Sequence, residues 1–220
     1  MACSASAPPG VEASLAEAAA TWNSRFQQAA YIFGTEPNAY LRRHASLWQP
    51  GQRVLCVADG EGRNSVWLAQ QGHSVDAFDI SPVGVAKARK LAEQAGVQVN
   101  YAVADCVAWP WPVAAYDAVA AIFIQFADPD ERAALFARIM AALKPGGLLI
   151  LQGYTPRQLE YRTGGPPHLS HLYTQEMLEQ AFAALEPIDL REYEAHLTEG
   201  VQHHGQSALI GMVARKPAGA

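Results

Sequence analysis

The stretch Arg53–Ser65, RVLCVADGEGRNS, constrains this chain more than any other. It begins with an unbroken apolar run, Val54-Leu55-Cys56-Val57, of the kind a strand buried on both faces requires. It then turns through Ala58-Asp59-Gly60-Glu61-Gly62 and continues into Asn64-Ser65-Val66-Trp67-Leu68-Ala69, which reads as a helix. Two glycines permit positive φ and let a ligand approach the backbone. The helix that follows has its first amide donors free beside the turn. Strand, Gly-rich turn and helix together are the nucleotide-cofactor signature of doubly wound α/β domains.

Two loop patterns compete. Gly60-Glu61-Gly62-Arg63-Asn64-Ser65 is one residue away from the dinucleotide G-x-G-x-x-G/A, with Ser65 in the last small position. Read as Ala58-x-Gly60-x-Gly62, the same loop is similar to the G-x-G-x-G turn of class I S-adenosylmethionine-dependent methyltransferases, with Ala in place of the first Gly. The rest of the chain supplies the context. At 220 residues it is long enough for one α/β domain with an N-terminal extension. The divisions expected are a disordered lead-in over 1–14, a helical lid segment over 15–50 and the cofactor-binding domain over 51–217. A formal charge of −5 leaves no basic footprint for nucleic acid. Cys3, Cys56 and Cys106 lie far apart with no C-x-x-C pair, so neither a disulfide framework nor a metal site is expected, and the chain reads as cytoplasmic. No apolar run suits a membrane span, and a monomer or homodimer is expected.

In the lid segment, Leu15, Ala19, Trp22 and Phe26 recur on one helical face. The turn-rich Tyr31–Asn38 and a second helix at Ala39–Leu47 follow. Packing on the domain and closure over a ligand are both open readings of Trp22, Tyr31 and Phe33. Ser74–Asp79 is a short strand ending on an acid. Asp79 follows Gly60 by about the 20 residues expected of a carboxylate that accepts ribose hydroxyls. Ser81 and Pro82 then start a helix as cap and first residue. Val97–Val103 is a third strand, with Asp105 just beyond it, suited to an adenine amino group or to a simple loop turn. Tyr116–Phe126 reads as a central strand with Gln125 at its carboxyl end. Asp128–Leu143 is an amphipathic helix and Leu148–Tyr154 a fifth strand. Beyond it come a long irregular segment, Thr155–Tyr173, a helix at Thr174–Ala184, and two long strands, Glu186–Thr198 and Gln206–Arg215. Such a closing antiparallel pair is foreign to a purely parallel dinucleotide domain.

The loop Ala58–Asn64, the acids Asp79 and Asp105, and Leu143-Lys144-Pro145-Gly146-Gly147 occur in order and at spacings that resemble a class I S-adenosylmethionine-dependent methyltransferase over residues 20–216. The G-E-G-R-N loop, with Trp22-Asn23-x-Arg25-Phe26 and Gly34-x-x-Pro37-Asn38 upstream, is similar to the small bacterial branch near tellurite-resistance and thiopurine methyltransferases. The resemblance implies a Rossmann-like, mostly parallel sheet with a C-terminal antiparallel pair and helices on both faces. It implies S-adenosylmethionine as cofactor and S-adenosylhomocysteine as product. The cofactor site it implies comprises Ala58, Asp59, Gly60, Glu61, Gly62, Arg63 and Asn64, then Asp79 and Ile80, Asp105 and Cys106, Gln125, and Trp22 and Tyr31 from the lid. The expected acceptor is a small molecule, with thiols and chalcogen oxyanions first, because their anions are accessible near neutrality.

One departure stands out. The family usually has an acid at Cys56 to hold the methionine ammonium, and a neutral thiol cannot replace it; Asp59 or backbone carbonyls are the substitutes. A hydroxyl or amine acceptor would instead need a base, for which Tyr154 and His203 are the candidates. His203 and His204 read more simply as surface residues of the hairpin turn. The alternatives are a nicotinamide-dependent oxidoreductase and a non-catalytic S-adenosylmethionine-binding regulator.

Overall fold

A computed structural model describes residues 9–219. The expected lead-in lies in part outside them, and from Pro9 the chain is already helical, in α1 (Pro9–Phe26). A short helix α2 (Ala39–Arg43) and a single 3-10 turn (Ala45–Leu47) precede the sheet. The strands are β1 (Arg53–Val57), β2 (Ser74–Asp79), β3 (Asn100–Val103), β4 (Tyr116–Ile122), β5 (Leu143–Tyr154), β6 (Glu186–Glu199) and β7 (His203–Arg215). Between them lie α3 (Arg63–Gln70), α4 (Pro82–Gln94), α5 (Pro129–Ala142), α6 (Gln158–Tyr161) and α7 (Gln175–Ala181). The strand order is β3-β2-β1-β4-β5-β7-β6. The first five strands are parallel, and β7 pairs antiparallel with both β5 and β6.

The apolar runs dictate this sandwich. Strand side chains alternate between faces, so a strand covered on both sides must be apolar throughout. Val54 and Cys56, Ala118 and Ala120, and Leu148 and Ile150 face one layer with Leu68 of α3 and Val85, Ala88 and Ala92 of α4. Leu55 and Val57, Val119 and Ala121, and Leu149 and Leu151 face the other, with Leu135, Phe136 and Ile139 of α5 and Leu178 of α7. Helix starts follow local rules: Ser81 caps α4 with Pro82 behind it, and Asp128 and Glu131 form a capping box on α5.

The differences from expectation sit at element ends. The long segment after β5 contains α6 and a 3-10 turn at Leu169–His171. β4 stops at Ile122 because Phe123 turns to φ 57, leaving Gln125 in the following loop. The hairpin strands are longer than predicted, so His203 opens β7 instead of lying in the turn.

Ala58 leaves β1 at φ 49, a left-handed conformation that is strained for a residue with a Cβ. Ala58→Gly is therefore expected to raise the unfolding free energy by about 0.5–1 kcal/mol, measured by urea titration, and Ala58→Val to lower it by more than that.

Candidate active site

The ends of the parallel strands carry the site. Asp79 ends β2, paired with Val103 of β3, and both its oxygens are engaged by backbone: Oδ2 accepts from Gly60 N at 2.9 Å and Oδ1 from Ser81 N at 2.8 Å. Each oxygen retains a second lone pair for a ligand hydroxyl. Burial pushes the Asp79 carboxyl up to about 6 against the pull of those two amides. Asp105 forms the loop turn that was one of its two readings, with Oδ1 accepting from Val107 N and Ala108 N at 2.6 and 2.7 Å. Gly60, at φ 62, is bare on the side facing the Phe26 ring. Asp79, bonded to the Gly60 amide, thus has the acceptor capacity expected of a ribose partner. Ile80 is partly exposed beside Asp79.

The remaining loop residues have different employment. A Cβ on Gly62 would overlap Ala88, so this glycine lets α3 and α4 pack closely. Asp59 accepts the Ser65 hydroxyl through Oδ2, and Ser65 also meets the Tyr101 hydroxyl at 2.8 Å. The other oxygen of Asp59 is buried with no hydrogen-bond partner among the described residues, and burial pushes the carboxyl up to about 7. Cys56 is buried in the α3/α4 layer, where desolvation raises its thiol well above the usual range, so it is a neutral core residue. Cys106 is likewise held neutral, pushed up to about 12 chiefly by burial.

Glu61, Arg63 and Asn64 grip the lid segment. Glu61 accepts from Ile32 N at 2.8 Å and pairs with Lys87 of α4, whose Nζ also donates to the Gln28 and Ala30 carbonyls at 2.8 and 2.7 Å. Arg63 pairs with Glu199 at 2.8 Å and donates to the Phe33 carbonyl. Asn64 accepts from Asn38 N at 2.9 Å. From the far side the hairpin turn closes on the same strap, with Val201 N and Gln202 N both donating to the Ile32 carbonyl. A Cβ on Gly200 would overlap Gly34 and Ile32, which is why the turn needs glycine there.

The lid aromatics pack on this framework. Tyr31 donates to the Lys87 carbonyl at 3.2 Å on the outer side of α4, and Trp22 stacks on Phe26 with the Arg25 guanidinium over its ring. Phe26, absent from the expected set, is the ring over Gly60. Gln125 is also spent internally: its amide donates to the Tyr154 and His171 carbonyls and accepts from Tyr154 N, stapling the end of β4 to that of β5.

Tyr154 and His203 do come together. Their rings stand 5.8 Å apart, and His203 lies between Phe33 at 4.5 Å and Phe123 at 4.3 Å. His203 is 8% exposed, which overturns its reading as a surface residue, whereas His204 is exposed. Glu199, its neighbour across the hairpin, could not be singled out from its sequence position; the only signal is an acid before the glycine of a turn.

Comparisons with known proteins point to the same fold. Residues 54–147 match the model of a methyltransferase domain. The chain is 34% identical over 115 residues to a demethylmenaquinone methyltransferase of Thermus thermophilus, covering 50% of this chain and 51% of that one. It is 36% identical over 122 residues to a ubiquinone biosynthesis O-methyltransferase of Paramagnetospirillum magneticum, covering 51% and 48%. The chain thus spans about half the length of these curated relatives. In structure it is similar to the N-methyltransferase NodS of Bradyrhizobium japonicum bound to S-adenosylhomocysteine (TM-score 0.71, 11% identity, 90% and 98% of the two chains). It is also similar to TehB of Haemophilus influenzae (TM-score 0.67, 16% identity, 90% and 66%). At these identities the structures bear on the fold.

Two predictions follow from the charges. Asp59 and Asp79 hold protons more tightly folded than unfolded, so their contribution is present below about pH 4 and is lost as pH rises through 6–7. Asp59→Asn is expected to flatten that fall and to raise stability at pH 8 by on the order of 2 kcal/mol, read from urea unfolding at pH 5 and pH 8. Arg63→Met leaves the Glu199 carboxylate buried without its cation and is expected to cost about 3 kcal/mol in the same assay.

Proposed function

Because residues 54–147 match the model of a methyltransferase domain and the sheet has the class I methyltransferase fold, we propose that the chain transfers a methyl group from S-adenosylmethionine to a small-molecule acceptor. The observation that carries this reading is Asp79, held at the end of β2 by the Gly60 amide with lone pairs to spare. The cofactor supplies an electrophilic methyl carbon on a sulfonium, so the chain has mainly to position two partners and exclude water. Asp79 binds the ribose hydroxyls and Asp105 the adenine amino group. The unpartnered oxygen of Asp59 serves the methionine ammonium in place of the acid missing at Cys56. Phe26, Trp22 and Phe33, packed against one another at 5.4–6.3 Å, cover the loop and keep water out.

A small acceptor is supported by the two relatives, both named for small-molecule methylation, and by the net charge of −5, which suits no phosphate backbone. Thiols and chalcogen oxyanions, implied by the motif resemblance, need little base; hydroxyl compounds need one. The chain is read as a monomer or homodimer. No helix among the described residues is long and apolar enough to cross a membrane.

Calorimetry tests the cofactor assignment. Asp79→Ala is expected to weaken S-adenosylhomocysteine binding by about 1–3 kcal/mol through lost charge-assisted hydrogen bonds. Unchanged affinity in a folded variant would remove Asp79 from the site. Methyl transfer itself is checked by incubating the protein with S-adenosylmethionine and a panel of thiols, phenols and amines, with products detected by mass spectrometry.

A further inference from the structure

The Gly-rich turn holds a carboxylate whose two oxygens live in different surroundings. Asp59 Oδ2 accepts the Ser65 hydroxyl, and Ser65 Oγ meets the Tyr101 hydroxyl of β3 at 2.8 Å. A serine has one hydroxyl hydrogen. Because Ser65 gives it to Asp59, the Tyr101 O–H is the donor to Ser65 Oγ. The result is a relay of hydroxyls from β3 through α3 to the turn, with each donor directed toward Oδ2. Asp59 Oδ1 is buried too, yet it has no partner among the described residues. A buried acceptor left unmet is costly, so a site that keeps one calls for a donor from a ligand. Solvent reaches the chain at this point. Val57 and Gly60 are buried, but Ala58 and Asp59 between them are partly exposed where β1 ends.

Ser65 is the residue that departs from the dinucleotide pattern, and Tyr101 lies outside every motif; the relay gives both a task. The groups facing Asp59 are Cys56 from β1, Asp79 from the end of β2, Tyr101 from β3, and Arg63 and Ser65 from α3. Cys56 and Tyr101 are neutral, the Tyr101 phenol being raised by burial first and by Asp59 second. Burial also leads at Asp59 and pushes its carboxyl up to about 7. The Ser65 hydroxyl pulls it back, Asp79 adds to the rise, and the Ser65 amide and Arg63 oppose it. Arg63 is itself paired with Glu199. Without a ligand the Asp59 carboxyl is therefore protonated at mildly acid pH, and a cation brought to Oδ1 drives that proton off.

Resting on the methyl-transfer reading, we infer that Asp59 exchanges its proton for the cofactor's ammonium, Oδ1 meeting the ammonium while the Tyr101–Ser65 relay fixes Oδ2. The proton passes to water, and the carboxylate left behind is neutralised by the ammonium. Only the carboxyl O–H bond breaks. Tyr101 and Ser65 are positioning residues: they hold the carboxylate in place and favour its ionised form. Cofactor affinity then depends on pH with a fixed sign. Asp59 is protonated below its titration and must release the proton before it can bind. Affinity is therefore expected to be about tenfold lower at pH 6 than at pH 8. Methylthioadenosine, which has the adenine and ribose but no amino-acid part, offers no ammonium and should not sense Asp59.

The test is calorimetry of S-adenosylhomocysteine binding to the full chain in paired buffers of different ionisation heat, phosphate with bis-Tris at pH 6.5 and phosphate with Tris at pH 8. The pairing gives the number of protons released. From Asp59 the wild type is expected to release about three quarters of a proton at pH 6.5 and about a tenth at pH 8. Asp79 titrates lower, at about 6, and adds a smaller release that variants of Asp59 keep. Asp59→Asn, expected to be the more stable protein at pH 8, should bind S-adenosylhomocysteine about tenfold more weakly there. It should also lose the Asp59 share of the release and bind methylthioadenosine as the wild type does. Tyr101→Phe should shift the affinity profile upward by about half a pH unit, with affinities converging at pH 9. A merely structural loss would lower affinity evenly at every pH. Wild-type binding without proton release at pH 6.5, an unchanged release in Asp59→Asn, an equal loss of methylthioadenosine affinity, or an even loss in Tyr101→Phe would overturn the inference. If S-adenosylhomocysteine does not bind the wild type at any pH, the methyl-transfer reading falls and the inference with it.

Discussion

The buried ion pair between Arg63 and Glu199 joins three parts of the chain that no local rule connects: the first residue of α3, the strap Tyr31–Asn38 and the β6–β7 hairpin. With side-chain exposures of 6% and 11%, both charges have given up most of their hydration. Such a pair is retained only if further hydrogen bonds satisfy what the partner leaves free. Here Glu199 also accepts from Asn38 Nδ2 and Ala39 N, and Arg63 also donates to the Phe33 carbonyl. The network fixes the strap against the Gly-rich turn on one side and His203 against Glu199 on the other. The Gly-rich turn and the β6–β7 hairpin thereby share one electrostatic frame.

The buried carboxylates of this region are unlike one another. Glu199 is ionised and fully engaged, whereas Asp59 and Asp79 are raised by burial and keep unused acceptor capacity. The contrast separates an acid whose oxygens are fully engaged from two with acceptor capacity to spare. It also explains how the fold tolerates a thiol at Cys56. That position faces the core layer of α3 and α4, and an acceptor capable of meeting a cation lies three residues further on.

The sheet was legible because its signals are local. Val54–Val57 and Ala118–Ile122 are apolar at every position, and only a strand covered on both faces needs that. The closing antiparallel pair was equally plain from two long runs joined by a Gly-rich turn. Asp79 stood out by its spacing from Gly60 and Asp105 by its place just beyond the third strand. What sequence reasoning missed depends on long-range contact. Glu61, Arg63 and Asn64 sit in a cofactor motif, yet their partners lie at Ile32, Glu199 and Asn38, and no periodicity reports such a meeting. Gln125 was misplaced because the left-handed turn at Phe123 ends β4 early, and a bulky residue gives no warning of positive φ. His203 looked exposed because hairpin turns usually are, whereas Phe33 of the strap and Phe123 pack against it.

Lys87 holds the chain from Phe26 to Ala30 by backbone carbonyls alone, at Gln28 and Ala30, and the side chains of residues 27–30 are exposed. A grip on carbonyls is blind to side-chain identity. Evolution is thus free to rewrite these four positions while the lysine and its partner Glu61 stay fixed. Among divergent homologues, the crossing from α1 to the strap should drift quickly in sequence and hold its path in space. The cover of the site would then be inherited as geometry, with little trace as a motif.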